Sequence, residues 1–174
     1  MNELNFNQIN DFDAYRKKLV ESFPKDLNKD VNRVIDIIPF SAKKNVTGGE
    51  VELVSVSEEE VFLNNENLRI YHRVYFEEPN WISKVLLTKT QKAILNCIYL
   101  RHHDGIIRQK CIENLKKSRF YFVLPFSFSL LGEYVIEIFT ILNKHVDNNR
   151  ENYYKFYREN VDYTKKIEQR IISY

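Results

Sequence analysis

The sequence predicts an α+β fold that is mainly helical, with two N-terminal helices, a β-hairpin or small antiparallel sheet, and a four-helix C-terminal bundle. The chain of 174 residues contains only 4 Gly and 4 Pro, so few residues interrupt helices. The spacing of apolar residues changes from a helical period to a period of two at residues 50–76 and then back. We expect a single domain, 1–174, with N-terminal helices and a loop (1–49), a hairpin (50–78) and a helical bundle (86–172).

The N-terminal third predicts two helices, Asn7 to Ser22 and Leu27 to Ile38. The dipeptide Phe23-Pro24 separates them, because proline lacks the amide hydrogen that a helix interior needs. A second proline, Pro39, ends the second helix. We therefore expect an N-terminal pair of helices that bury their apolar faces in the core.

The clearest strand runs from residue 68 to residue 76, and its side chains alternate between two faces. One face is apolar except for a single histidine, whereas the other carries Arg69, Tyr71, Arg73 and Tyr75. Basic and aromatic side chains on an exposed strand can contact phosphates and stack on bases, so these four are candidate nucleic-acid-binding residues. The alternative, which we favour, is a solvated sheet face whose arginines pair with nearby glutamates.

The C-terminal half predicts four helices. Thr88 and Gln91 have the spacing of a capping box at the start of the first, and Asp104-Gly105 separates it from the second. The third is apolar nearly all round, so we expect it to be the central element. The predicted bounds are Lys89 to His102, Ile106 to Lys117, Pro125 to His145 and Asn149 to Ile172.

The polar side chains that could perform chemistry lie mainly between the first two of these helices. The candidates for a catalytic site are His102, His103, Asp104, Arg108 and Glu133. The histidines are neighbours on a helix and point about 100° apart, so we expect them to cap the helix end and to hold neither a metal nor a cofactor. A carboxylate on an apolar helix must be paired when buried, and Arg108 or a histidine is the expected partner. The cluster is then either an ionic lock or an acid–base pocket.

The same stretch is similar to one unit of the HEAT-repeat family. Asp104, Ile107-Arg108, Cys111 and Leu115 match the spacing of the acidic residue, Val-Arg, Ala and Leu in the second helix of that repeat. The resemblance covers residues 89–117 once. It implies a stacked helical hairpin with a binding surface, in which Asp104 and Arg108 form hydrogen bonds in the turn and have no catalytic role.

Composition and motifs favour an interaction protein over an enzyme. A net charge of +2 gives little reason to expect nucleic-acid binding. The only membrane-like segment, 120–142, contains two glutamates, so we expect no membrane partner. Two cysteines in apolar surroundings predict reduced thiols and a cytoplasmic location. We expect a small bacterial interaction or regulatory protein with a protein partner or a homodimer; the alternatives are an enzyme using the His/Asp/Arg/Glu cluster and a nucleic-acid-binding protein.

Overall fold

The computed structural model describes residues 6–41, 43–44, 50–133 and 135–172, and it confirms the α+β, mainly helical fold. Two short antiparallel sheets lie between N-terminal and C-terminal helices. The helices within the described residues are α1 (Phe6–Glu21), α2 (Asn28–Ile35), α3 (Trp81–Val85), α4 (Lys89–Tyr99), α5 (Gly105–Leu115), α6 (Leu124–Phe128), α7 (Ile136–Asn148), α8 (Arg150–Glu159) and α9 (Val161–Ile172). Short 3-10 helices cover Lys25–Leu27, Tyr121–Val123 and Ser129–Gly132.

The two predicted N-terminal helices are present as α1 and α2. Pro24 precedes the 3-10 turn that leads into α2, as its missing amide hydrogen favours. Helix α2 ends at Ile35, three residues before the predicted end, and buries Val31, Val34 and Ile35. Helix α1 packs on α2 and on the neighbouring hairpin. Together the two helices cover one side of the core.

The predicted hairpin is formed by strands β3 (Glu58–Leu63) and β4 (Glu66–Tyr71). A shorter antiparallel pair, β1 (Lys43–Lys44) and β2 (Glu50–Val51), precedes it. Asn64 and Asn65 form the two-residue hairpin turn with φ values of 50° and 65°. Asparagine tolerates this left-handed conformation, which suits a tight hairpin because its twist matches that of the strands.

The chain after β4 connects the hairpin to the C-terminal helices. Val74 forms an antiparallel bridge with Val54 and a parallel bridge with His102. Its amide donates to the carbonyl of Arg101 at 2.9 Å, and the amide of His103 donates to the carbonyl of Val74 at 3.1 Å. The polar turn between α4 and α5 is thereby joined to the sheet by backbone hydrogen bonds.

The prediction of one central helix from Pro125 to His145 is wrong, because the segment is divided into α6, a 3-10 turn and α7. The buried helices here are α6, in which all five residues are buried, and α4, in which six of eleven are. Helix α4 packs against α2, α5 and α6. Helix α7, by contrast, leaves Ile136 and Phe139 exposed on one face. The apolar composition of the third predicted helix therefore reflects two different environments, a buried α6 and a partly exposed α7.

The last two predicted helices are both interrupted. Residues 129–132 form a 3-10 turn and Glu133 is extended, and its carboxylate pairs with Arg73 and Arg108 from other parts of the chain. Asn160 separates α8 from α9. Its side-chain amide donates to the carbonyl of Phe62 at 2.9 Å and accepts from the amide of the same residue at 2.6 Å, so it acts as a partner for the edge of β3. Long-range hydrogen bonds thus outweigh local helix preference at both breaks.

The start of α4 is fixed by the predicted capping box. The Thr88 hydroxyl accepts from the amide of Gln91, and the Gln91 side chain accepts from the amide of Thr88. We expect Thr88→Ala to lower the free energy of unfolding, measured by urea denaturation, by about 1 kcal/mol, because the amide of Gln91 loses its side-chain acceptor. Thr90→Ala makes the same chemical change two residues later and should cause no such loss. Equal losses would contradict a capping role for Thr88.

No helix within the described ranges is both long and apolar enough to cross a membrane. Both cysteines, Cys97 and Cys111, are buried and free, as expected for reduced thiols. Burial raises the pKa of Cys111 to about 12. The thiol is therefore protonated at neutral pH and is a poor nucleophile.

Candidate functional site

Arg108 and Glu133 form the ion pair that the sequence predicts. The Nε of Arg108 donates to Oε2 of Glu133 at 2.7 Å, and the two side chains are only 9% and 10% exposed. The Nη1 of Arg108 also donates to the carbonyls of His102 and His103, at 2.7 and 2.9 Å. Arg73 approaches the other oxygen of Glu133 from the sheet side, at 3.2 Å. One carboxylate therefore joins the segment that follows β4 to the first turn of α5.

The two histidines and Asp104 have separate structural tasks in the turn. Nδ1 of His102 accepts from the amide of Asp104 at 3.0 Å, so the proton of the neutral ring is on Nε2, which lies 3.1 Å from the carbonyl of Phe76. His103 is exposed and packs edge-on against the ring of Tyr75. The carboxylate of Asp104 caps α5 by accepting from the amide of Ile106 at 2.8 Å.

Arg101, a possible partner of the buried glutamate that is not among the five predicted site residues, is a buried cation of this region. Its guanidinium donates to the carbonyls of Tyr71 and His72, at 3.1 and 2.7 Å, and to the hydroxyl of Ser129. Burial lowers its pKa to about 10, and it has no carboxylate in direct contact among the described residues. Its signal in the sequence is weak, because an arginine at the end of an apolar helix is also typical of a solvated helix terminus.

These contacts favour the ionic lock over the acid–base pocket. Glu133 already has two cationic neighbours, and the ring of His102 is held by backbone groups. Neither the cleft between α4 and α5 nor the cleft between the β3–β4 hairpin and α9 is lined by the five predicted candidates. No group of three or more potential metal ligands occurs in the part of the chain that the structure describes.

The four residues predicted as a basic and aromatic strand face do not share one exposed surface. Arg69 is exposed between Glu21 and Glu58, at 3.8 and 3.6 Å. Tyr71 is buried, because α1 packs across β4. Arg73 pairs with Glu133, and Tyr75 contacts His103. Nucleic-acid binding through this face stays a prediction for which the geometry offers no continuous platform.

A cleft of 660 Å³ lies between α4 and α5 and extends to the segment before α3. The residues at its base are mostly buried and apolar: Ala93, Leu95, Tyr99, Cys111, Leu115 and Phe120. Its volume is in the range of cavities that hold small molecules or the side chains of a bound partner. The sequence analysis missed this cleft, since its apolar residues follow the same helical spacing as ordinary core residues.

The rim of this cleft is basic. It carries five lysines: Lys84, Lys89, Lys92, Lys110 and Lys117. The carboxylate of Glu78 is the acidic group among the lining residues, and it lies 3.3 Å from Lys84 and 3.2 Å from Lys110. Burial opposes ionisation of Glu78, but the two lysines lower its pKa below the ordinary value. The lining therefore carries an excess of positive charge at neutral pH.

Helix α3, next to this cleft, directs its apolar side chains into solvent. Trp81 is 72% exposed, Ile82 59%, Val85 61% and Leu86 74%. Residues four apart lie on the same side of a helix, so these residues form one continuous apolar face. The helix is held in place at its start, where the Asn80 side chain accepts from the amide of Ser83 at 2.9 Å. We call these four residues the α3 face.

The sequence alone does not distinguish the α3 face from core. A short apolar run between Pro79 and Thr88 has no period that separates a buried from an exposed helix. The available signal is the cap at Asn80, which predicts a short helix with several large apolar side chains. No family model, curated protein or solved structure matches the chain, so no relative assigns a function to this surface.

Proposed function

We propose that this protein is an interaction or regulatory protein that binds a partner protein through the α3 face. The proposal rests on the exposure of four large apolar side chains, side by side, on one short helix. Soluble monomers rarely leave such residues together in water, and contiguous apolar patches mark interaction sites. Covering one side chain of this size contributes about 1.5–3 kcal/mol. Two or three such contacts are enough to dominate the affinity of a small interface.

The charges around α3 favour a different protein over a second copy of this chain. Lys84 lies within α3, and Lys89 and Lys92 follow in the first turns of α4. A symmetric contact between two α3 faces would bring the lysines of both copies to one interface, with no acidic cluster of α3 to pair with them. Like charges at an interface oppose association, whereas a partner with the opposite charge would be attracted.

Selection of binding peptides tests the docking function. Trp81 is the only tryptophan in the chain, so its emission reports contact at the α3 face without a label. We expect peptides without tryptophan, selected from a random display library on the immobilised protein, to shift Trp81 emission to shorter wavelength. Ile82→Asn and Leu86→Asn should each weaken binding about tenfold or more, because an apolar contact is replaced by a polar group.

The matched control is Val56→Asn. Val56 is 73% exposed, as Leu86 is, but it precedes β3 and does not line the cleft. This variant should bind the selected peptides as the wild-type protein does. Failure to select any peptide, or equal binding by the wild-type and Ile82→Asn proteins, would contradict the proposed function.

A further inference from the structure

We propose that the partner segment is acidic and amphipathic, with apolar side chains against the α3 face and the cleft and with carboxylates along the lysine rim. This inference rests on the proposed docking function and names the chemistry of the partner. It joins two features that are neighbours in the fold, because Lys84 of α3 and Pro79, two residues before that helix, both line the cleft.

Charge complementarity is the first argument. Five lysines and one glutamate among the lining residues leave four positive charges in excess. Within the described ranges, Glu78 forms ion pairs with Lys84 and Lys110. Lys89, Lys92 and Lys117 take part in none of the ion pairs between described residues and are exposed. Carboxylates of a partner would meet these three lysines at the mouth of the cleft, where charge pairs guide association and orientation.

The apolar base of the cleft is the second argument. A partner that carried charge alone would make no contact with the apolar base beneath the lysines. An amphipathic segment can contact both the apolar base and the lysines. Apolar anchors at helical spacing that lie in a groove are a recurring mode of peptide recognition. The α3 face adds exposed apolar side chains on the helix that contributes Lys84 to the lining of the cleft, so a segment of several turns that covered both would gain further apolar contacts.

A flat lipid surface and a nucleic acid fit this combination less well. The apolar base is recessed between two helices, where a planar bilayer cannot follow it. A nucleic acid offers phosphates to the lysines but has no aliphatic side chains for Ile82, Val85 and Leu86. Anionic vesicles nevertheless provide a useful comparison, because exposed tryptophan and lysine together can also bind anionic lipid.

Two synthetic peptides test the inference. Both lack tryptophan and share leucines at the same helical spacing, but one has glutamate and the other lysine at the remaining charged positions. We expect the acidic peptide to shift Trp81 emission and to bind at least about tenfold more tightly than the basic peptide. Its affinity should fall as sodium chloride is added, because salt screens exposed charges.

Charge reversal in the protein supplies the matched variants. The double variant Lys89→Glu, Lys92→Glu should lose the preference for the acidic peptide, and it should fold because acidic residues are favourable in the first turn of a helix. The control double variant Lys144→Glu, Lys165→Glu makes the same net change at exposed lysines of α7 and α9 and should keep the preference. Equal affinity of the wild-type protein for the two peptides would overturn the inference, and so would an unchanged preference in the Lys89/Lys92 variant.

The two proposals fail in different ways. If the wild-type protein binds the acidic and basic peptides equally and Ile82→Asn still weakens binding, only the inference of an acidic partner is overturned. Charge preference without any effect of Ile82→Asn would overturn docking on the α3 face. A shift of Trp81 emission with phosphatidylserine vesicles, but with neither peptide, would assign the surface to a membrane and overturn the acidic protein segment.

Discussion

Replacing Arg108 with methionine should lower the free energy of unfolding by about 3–5 kcal/mol, the range expected when one partner of a buried ion pair is removed. The substitution keeps an unbranched side chain but leaves the Glu133 carboxylate with Arg73 alone, at 3.2 Å. It also removes the donor to the carbonyls of His102 and His103. Urea denaturation of the wild-type and variant proteins measures the difference.

The controls separate this buried pair from an ordinary surface pair. Arg150→Met removes the partner of Asp147 in a pair with side chains that are 77% and 61% exposed, so its effect should be far smaller. Adding Glu133→Gln to Arg108→Met removes a buried carboxylate charge that has lost one of its two cations, and it should restore part of the lost stability. If Arg108→Met lowers the free energy of unfolding no more than Arg150→Met does, the ion pair between Arg108 and Glu133 does not stabilise the contact between α5 and the segment after β4.

Acidification should destabilise the protein through His145, by about 3 kcal/mol between pH 7 and pH 4. Its Nδ1 lies 2.9 Å from the Tyr153 hydroxyl, which donates to Ser127, and Ser127 in turn donates to the carbonyl of Leu124. Nδ1 therefore carries the proton of the neutral ring. Burial lowers the pKa of His145 from 6.5 to about 4. A second proton would place an unpaired charge in the core.

The sign follows from proton binding. Between pH 4 and pH 6.5 the unfolded chain binds more protons than the folded chain, so stability rises with pH and is lost as pH falls. The difference between a pKa of 6.5 in the unfolded chain and about 4 in the folded chain corresponds to about 3 kcal/mol. The pKa of His72 is also lowered, by burial first and then by Arg101, and it acts in the same direction.

Comparison with His145→Gln isolates this contribution. Urea denaturation from pH 4 to pH 7 should show a stability change that is about 3 kcal/mol smaller in the variant than in the wild-type protein. The groups that remain, including His72, titrate in both proteins and cancel in the difference. The same pH dependence in both proteins would rule out His145 as the source.

Features with local causes could be predicted from the sequence. Thr88 and Gln91 cap α4 with groups three residues apart, and Asp104 caps α5 in the same local manner. The pairing of Arg108 with Glu133 is distant in sequence, but it was predictable because a carboxylate in an apolar segment requires a cation. Each of these predictions depends on a physical need that is visible in a short stretch of sequence.

Features with tertiary causes could not be predicted. Side chains of β4 alternate between two faces, and this pattern predicts that Tyr71 is exposed. Tyr71 is instead buried, because α1 packs on that face of the strand. The break at Asn160 depends on the edge of β3, which is almost a hundred residues away. The α3 face is the reverse case, in which residues typical of a core are exposed. Apolar side chains normally indicate core, and only the structure shows that nothing within the described chain covers Trp81 and Leu86 fully.

Hydrogen–deuterium exchange with and without the acidic amphipathic peptide tests most directly whether the α3 face and the adjoining cleft are the binding surface. The proposal predicts slower amide exchange in residues 80–87 and in the parts of α4 and α5 that line the cleft. It predicts no change in the β3–β4 hairpin or in α9, which line the other cleft described above. Protection confined to the hairpin and α9, or no protection at a saturating concentration of peptide, would contradict it.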